Sequence, residues 1–105
     1  MSTQYFHGSP NEIEGFLPQG TYVTRAKHYA LFYAVRSGKP DCYIYSMTLD
    51  PAQDIEQRVD LAGTVDYVLI RDTPFRERIP VTDEVRAECK AAEKAEVAAV
   101  LGLDK

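Results

Sequence analysis

Four stretches of this 105-residue chain carry residue types able to do chemistry. The first is Phe6-His7-Gly8-Ser9, a histidine at the end of a β-like run that meets Gly, Ser and then Pro10. A ring there sits at a turn, and the glycine beside it lets a ligand approach the backbone and use its N–H and C=O. The second is Gly20-Thr21-Tyr22-Val23-Thr24, and the third is Tyr33, eleven residues beyond Tyr22 on an apolar segment. Rings presented by neighbouring elements can line a cleft for a flat ligand. The fourth, Asp66-Tyr67-Val68-Leu69-Ile70, sets a carboxylate at the mouth of an apolar strand. Taken singly, each has a plainer reading. His7 is then a turn histidine satisfied by backbone, the tyrosines are core with partnered hydroxyls, and Asp66 is a solvated strand-end charge. Only their joint occurrence points to a site.

These residues must be positioned by short elements. Gln4 to His7 reads as a strand stopped by Gly8-Ser9-Pro10-Asn11, with further turns at 11–15 and 17–20. Thr21 to Thr24 reads as a second strand from its β-branched and aromatic content. A helix is expected over 25–37, closed by Gly38 with Pro40 beyond. Its centre, Tyr29-Ala30-Leu31-Phe32-Tyr33-Ala34-Val35, is apolar on every side, which predicts a buried helix. Cys42 to Leu49 alternates as a strand, 53–64 reads as polar and irregular, and 66–71 reads as the cleanest buried strand. Ile79-Pro80-Val81 suits an edge, because proline cannot donate to a ladder. Thr82-Asp83-Glu84 starts a helix over about 83–101 with a thin apolar stripe, Val85, Cys89, Ala92, Val97, Val100 and Leu101, ended by Gly102. Short strands interrupted by two helices predict one α+β domain over 1–105.

Composition narrows the function classes. A hydrophobic share of 45% with 27% charged residues is that of an ordinary globular protein. Apolar stretches are short and broken by charge, so no membrane span is expected. The formal net charge of -4 disfavours a partner held by phosphate neutralisation, and nucleic acid is not the expected partner. Arg71, Arg76 and Arg78 are interleaved with Asp72 and Glu77, which reads as a solvated edge. Cys42 and Cys89 are far apart in sequence and read as free thiols. Met1 to Gln4 lacks the basic-then-apolar pattern of a signal peptide, so a cytoplasmic location is expected. His7 and His28 have no helix-spaced partner, so no metal is expected, and phosphate loops, nucleophile elbows and calcium loops are missing from the pattern.

These four stretches, in order, make three motifs that resemble those of the ADP-ribosyltransferases of the poly(ADP-ribose) polymerase and diphtheria-toxin branch, whose signature is His, Tyr, Glu. Phe6-His7-Gly8-Ser9 resembles the family's strand ending in His-Gly-Thr or His-Gly-Ser. Gly20-Thr21-Tyr22-Val23-Thr24, followed by Ala30 and Tyr33, resembles its Tyr motif with the Tyr-to-Tyr spacing kept. Asp66-Tyr67-Val68-Leu69 resembles its Glu-Tyr-Ile-Val strand start, with Asp in place of Glu. The resemblance spans residues 4–81 and implies a split mixed or antiparallel sheet, with NAD as the substrate. It further implies that His7 holds the adenosine-side ribose and that Gly8 pairs its backbone with the nicotinamide amide, with Ser9 beside them. Tyr22 and Tyr33 would sandwich the nicotinamide ring, and Asp66 would steady positive charge on the ribose as its bond to nicotinamide breaks.

The expected function is mono-ADP-ribosylation of a macromolecular target, a protein first of all, by a small phage or bacterial effector or inhibitor of host defence. Two alternatives stand beside it: a catalytically degenerate NAD-binding module, which the Asp-for-Glu change favours, and an unrelated α+β protein-interaction domain. Because Asp is one methylene shorter than Glu, the carboxylates of Glu56, Asp60, Asp72 and Glu77 are rivals to Asp66.

Overall fold

Tyr43-Ile44-Tyr45-Ser46-Met47-Thr48-Leu49 carries bulky residues on both of its alternating faces, and it becomes a central strand buried along nearly its whole length. In the computed structural model, which describes residues 2–59, 61–63 and 65–102, the elements in chain order are β1 (Thr3–Ser9), β2 (Phe16–Leu17), β3 (Tyr22–Val23), α1 (Lys27–Val35), β4 (Tyr43–Leu49), β5 (Ile55–Val59), β6 (Val65–Leu69), β7 (Thr73–Pro74), β8 (Glu77–Pro80) and α2 (Asp83–Leu101). The chain is a small α+β domain with two helices and antiparallel sheets. Strand order is β1-β4-β8 in one sheet and β3-β6-β5 in another, with a β2-β7 pair beside them. Every strand pairing among the described residues is antiparallel.

The two three-stranded sheets meet at one bridge between Phe6 and Thr24. There the Phe6 N–H donates to the Thr24 carbonyl at 2.7 Å and the Thr24 N–H donates to the Phe6 carbonyl at 2.8 Å. On one face of this split sheet lies the core of Tyr5, Leu17, Val23, Tyr45, Met47, Leu49, Ile55 and Leu69. Tyr45 is fully buried, and its hydroxyl donates to the Asn11 carbonyl at 3.1 Å and accepts from the Ile13 N–H at 2.6 Å. A buried phenol with both partners anchors the loop after β1 at little cost.

Helix α1 lies on the opposite face, and glycine sets its distance. A Cβ on Gly8 would fall 1.7 Å from the carbonyl oxygen of Ala30 and 2.9 Å from the nitrogen of Ala34. Only glycine opposite two alanines lets helix and strand backbones approach this closely. Ala30 and Ala34 are accordingly the buried residues of α1. The expectation of a buried helix over 25–37 is corrected here. Helix α1 spans 27–35, and Tyr29, Phe32 and Tyr33 are 50%, 61% and 49% exposed. Apolarity around the whole helix does not guarantee burial when a strand can cover only the stripe of small residues.

Other expectations change as well. β1 runs on through Gly8 and Ser9, so His7 belongs to a strand and not to a turn. The stretch read as irregular contains β5, an edge strand whose Ile55 enters the core while its four following residues stay exposed. The most buried strand is β4, not the one beginning at Asp66. α2 has the expected bounds and caps. Thr82 Oγ1 accepts from the Val85 N–H at 3.2 Å, and Gly102 takes the left-handed conformation at φ 71°. Its apolar stripe is only partly covered: Cys89 is buried, whereas Val97, Val100 and Leu101 are exposed. Cys42 and Cys89 are both free and buried, and burial raises the Cys89 thiol pKa. Among the described residues no helix is long and apolar enough to cross a membrane.

Candidate functional site

Beyond the Phe6–Thr24 bridge, β1 and β3 part company, and His7 occupies the point of divergence. Its Nδ1 lies 2.7 Å from the Tyr22 carbonyl oxygen, a contact that requires the proton on Nδ1. Burial pushes the His7 pKa below its ordinary value, partly opposed by this hydrogen bond to the Tyr22 carbonyl. The ring is therefore neutral at pH 7, with Nε2 left as an acceptor. A side chain has replaced a rung of the ladder, and the sheet is open below it.

Gly8 supplies the open edge. Phe6 turns its N–H and C=O away from β4 to reach Thr24, and hydrogen-bonding direction alternates along a strand. Gly8, two residues on, must therefore turn its own N–H and C=O toward the gap. By the same alternation neither group is directed at β4. One donor and one acceptor at strand spacing form the complement of a primary amide.

Around this edge opens a cleft of about 1060 Å³. That is at the upper end of small-molecule sites, which run to roughly 1,000 Å³. One wall is the outer face of α1, where Tyr29, Phe32, Tyr33 and Arg36 follow one another at helical spacing. The floor is the β3–β6 sheet, which contributes Tyr22, 56% exposed, and Asp66. The exposed rings of α1 thus line a cavity, which accounts for aromatic residues that the core does not take up.

Five of the six residues singled out from the sequence, His7, Gly8, Tyr22, Tyr33 and Asp66, line this one cleft. Ser9 does not. It is buried, and its Oγ accepts from the Asn11 N–H at 3.1 Å, closing the turn after β1. Gly8 also does more than was read from the sequence, since its missing side chain is what admits α1. Sequence reasoning missed Arg25 and Arg36, which line the two ends of the α1 wall. Lys27, Arg58, Arg71 and Arg78 each lie against a carboxylate, but among the described residues neither Arg25 nor Arg36 does. Positions 29, 33 and 36 fall on one helical face, a signal present in the sequence and masked by the assumption of burial, while Arg25 lies in the bend just before α1.

The rival carboxylates separate cleanly. Asp72 accepts from the Gln19 N–H at 2.8 Å, away from the cleft. Glu77 lies on β8, on the far side of β4 from β1. Asp60 lies outside the described residues. Glu56 stands on β5 opposite Val68, next to the pair Arg58–Asp66. Where the cleft meets α2, His28 Nε2 approaches Glu96 Oε2 to 2.6 Å without the alignment of a hydrogen bond. No cluster of potential metal ligands occurs among the described residues. Compared with known proteins, the chain matches no family model, no curated protein and no solved structure.

Proposed function

We propose that this cleft binds NAD and that the protein transfers ADP-ribose from it to a macromolecular acceptor, with release of nicotinamide. The observation that carries the reading is the convergence of His7, Gly8, Tyr22, Tyr33 and Asp66, drawn from three separated motifs, on one cavity at the split of the sheet. The open N–H and C=O of Gly8 match the amide of nicotinamide. Tyr22 from the floor and Tyr33 from the helix wall offer faces for a flat ring. His7 Nε2 is free to accept from a ribose hydroxyl, and Arg25 and Arg36 offer the cleft positive charge against a diphosphate.

The chemistry follows from that arrangement. The bond between the ribose C1′ and the nicotinamide nitrogen breaks, and its electron pair leaves with nicotinamide, which becomes neutral. Positive charge builds on the ribose in a transition state of oxocarbenium character, as in glycoside cleavage. A fixed carboxylate beside it, Asp66, acts mainly on that developing charge, so it contributes to turnover far more than to ground-state binding.

The experiment combines three measurements: melting temperature against NAD concentration, nicotinamide release, and transfer of labelled ADP-ribose to bacterial lysate. NAD raises the melting temperature by mass action. Asp66→Asn keeps that shift and lowers nicotinamide release on the order of a hundredfold. Asp66→Glu retains release, because the longer acid reaches the same ribose. Binding without release by the parent protein selects a degenerate NAD-binding module. No binding at millimolar NAD selects an interaction domain.

A further inference from the structure

Helix α2 keeps one face that the fold leaves open. Glu93, Glu96, Val97, Val100 and Leu101 recur at helical spacing, so they share a face, acidic toward its start and apolar toward its end. Val97, Val100 and Leu101 are 51%, 80% and 63% exposed. Where this face meets α1, a second cavity of about 230 Å³ opens, with His28 and Tyr29 on its other wall. We infer that this cavity seats an arginine side chain of a partner protein, presented with an apolar residue beside it, whatever the larger cleft binds.

Charge sets the sign of the occupant. Two carboxylates line the cavity, and among the described residues no lysine or arginine does. Lys27 of α1 is already held by Glu88 at 3.1 Å, and Glu93 is in no ion pair among the described residues. Glu96 is fixed in place: its Oε1 accepts from the Tyr29 hydroxyl at 3.2 Å, and its Oε2 lies 2.6 Å from His28 Nε2. The His28 side chain is nine-tenths buried, and its Nε2 has no aligned hydrogen-bond partner. A buried nitrogen in that condition is completed by a polar group brought to it. The hydrogen bond to Glu96, with the negative charge of Glu96 and Glu93, raises the Tyr29 pKa, so both acids bear on the same spot.

Size and shape then select arginine. Ligand sites for whole small molecules start near roughly 300 Å³, and a smaller cavity takes one side chain. A guanidinium is a planar fork that meets a carboxylate with two parallel N–H groups, which an ammonium lacks, and it stacks on an aromatic face. Glu93 and Glu96 offer the carboxylates, and the half-exposed ring of Tyr29 offers the face. The aliphatic stem lies along Val97. Val100 and Leu101, which a small cation would leave bare, are covered by the apolar neighbour on the partner.

A pair of exposed acids acting by charge alone would take any cation weakly. The test therefore titrates four capped tripeptides into isotopically labelled protein and follows the methyl signals of Val97, Val100 and Leu101 by NMR. The peptides are leucine-arginine-leucine, the same with lysine or with glutamine at the centre, and alanine-arginine-alanine. The first is expected to give saturable shifts, and each of the others to bind on the order of tenfold more weakly. Glu93→Gln combined with Glu96→Gln weakens the first peptide by a similar factor at an unchanged melting temperature, because glutamine still accepts from the Tyr29 hydroxyl. Failure of the first peptide to bind, equal binding of any of the other three, or unchanged binding by the double variant overturns the inference. Methyl signals that move with protein concentration in the absence of peptide give the face to a second copy of this chain, and overturn it as well.

Discussion

A methyl group on Gly8 would lie 1.7 Å from the Ala30 carbonyl oxygen, inside any tolerable contact, and the obstacle is helix backbone that cannot rotate away. Gly8→Ala therefore lifts α1 off β1 and costs about 3 kcal/mol, the upper end of the usual range for overpacking. Urea unfolding measures this, and a loss within the scatter of surface variants would mean that the helix does not rest on the strand. His7, one residue earlier, makes a different prediction. Its folded pKa lies below the ordinary value because burial disfavours the charged ring. Above the unfolded value, about 6.5, both states hold the ring neutral and its contribution to stability is complete. As pH falls through the folded pKa, the unfolded state has already taken up a proton that the folded state resists, and that contribution is lost. Parent protein should thus lose more stability than His7→Gln between about pH 7 and pH 5. Other titrating groups are common to the two proteins and cancel in the difference, so parallel curves would show that His7 is not buried in this way.

At the scale of elements, α1 decides whether Tyr33 belongs to the core or to a ligand. Its ring is 49% exposed and packs edge-on against Phe32, with centroids 5.5 Å apart. Tyr33→Leu should shift stability by no more than about 0.5 kcal/mol, as surface positions do. The same variant should weaken NAD binding measured by calorimetry, because a stacked ring is worth about 0.5–1.5 kcal/mol beyond its area. A variant that unfolds easily yet binds NAD normally would return Tyr33 to the core. Sequence reasoning had the bounds of α2 right because Thr82 and Gly102 are local signals that need no tertiary partner. It also had β4, where bulky residues on both faces leave only a central position. It misjudged α1, whose burial depends on Gly8, a residue more than twenty positions away in sequence. It missed β5, since Glu56, Gln57 and Arg58 read as loop until β6 is there to pair them. The site was legible where chemistry sits on unusual residue types, His7, the tyrosines and Asp66. It was not legible at Arg25 and Arg36, ordinary surface charges whose place at the cleft appears only once α1 is set against β1.

Across the whole molecule, charge and connection pull in opposite directions. A chain of net charge -4 repels anions at long range, while Arg25 and Arg36 put positive charge at the cleft. Among the described residues, the sheets on which the cleft depends are joined to one another, as sheets, by one bridge, Phe6–Thr24. Two amide protons are therefore the zip-tab of the fold, the last rung before a gap and the first that must part when the halves swing. Local opening of this kind exposes amides without global unfolding, so the Phe6 and Thr24 protons should exchange with solvent faster than those of β4. A dinucleotide spanning Gly8 on one half and Tyr22 on the other would clasp the gap and slow both protons together. Exchange measured by NMR with and without NAD would then record, at two amides bonded to each other's carbonyls, how far the molecule breathes along its seam and how firmly a guest holds it shut.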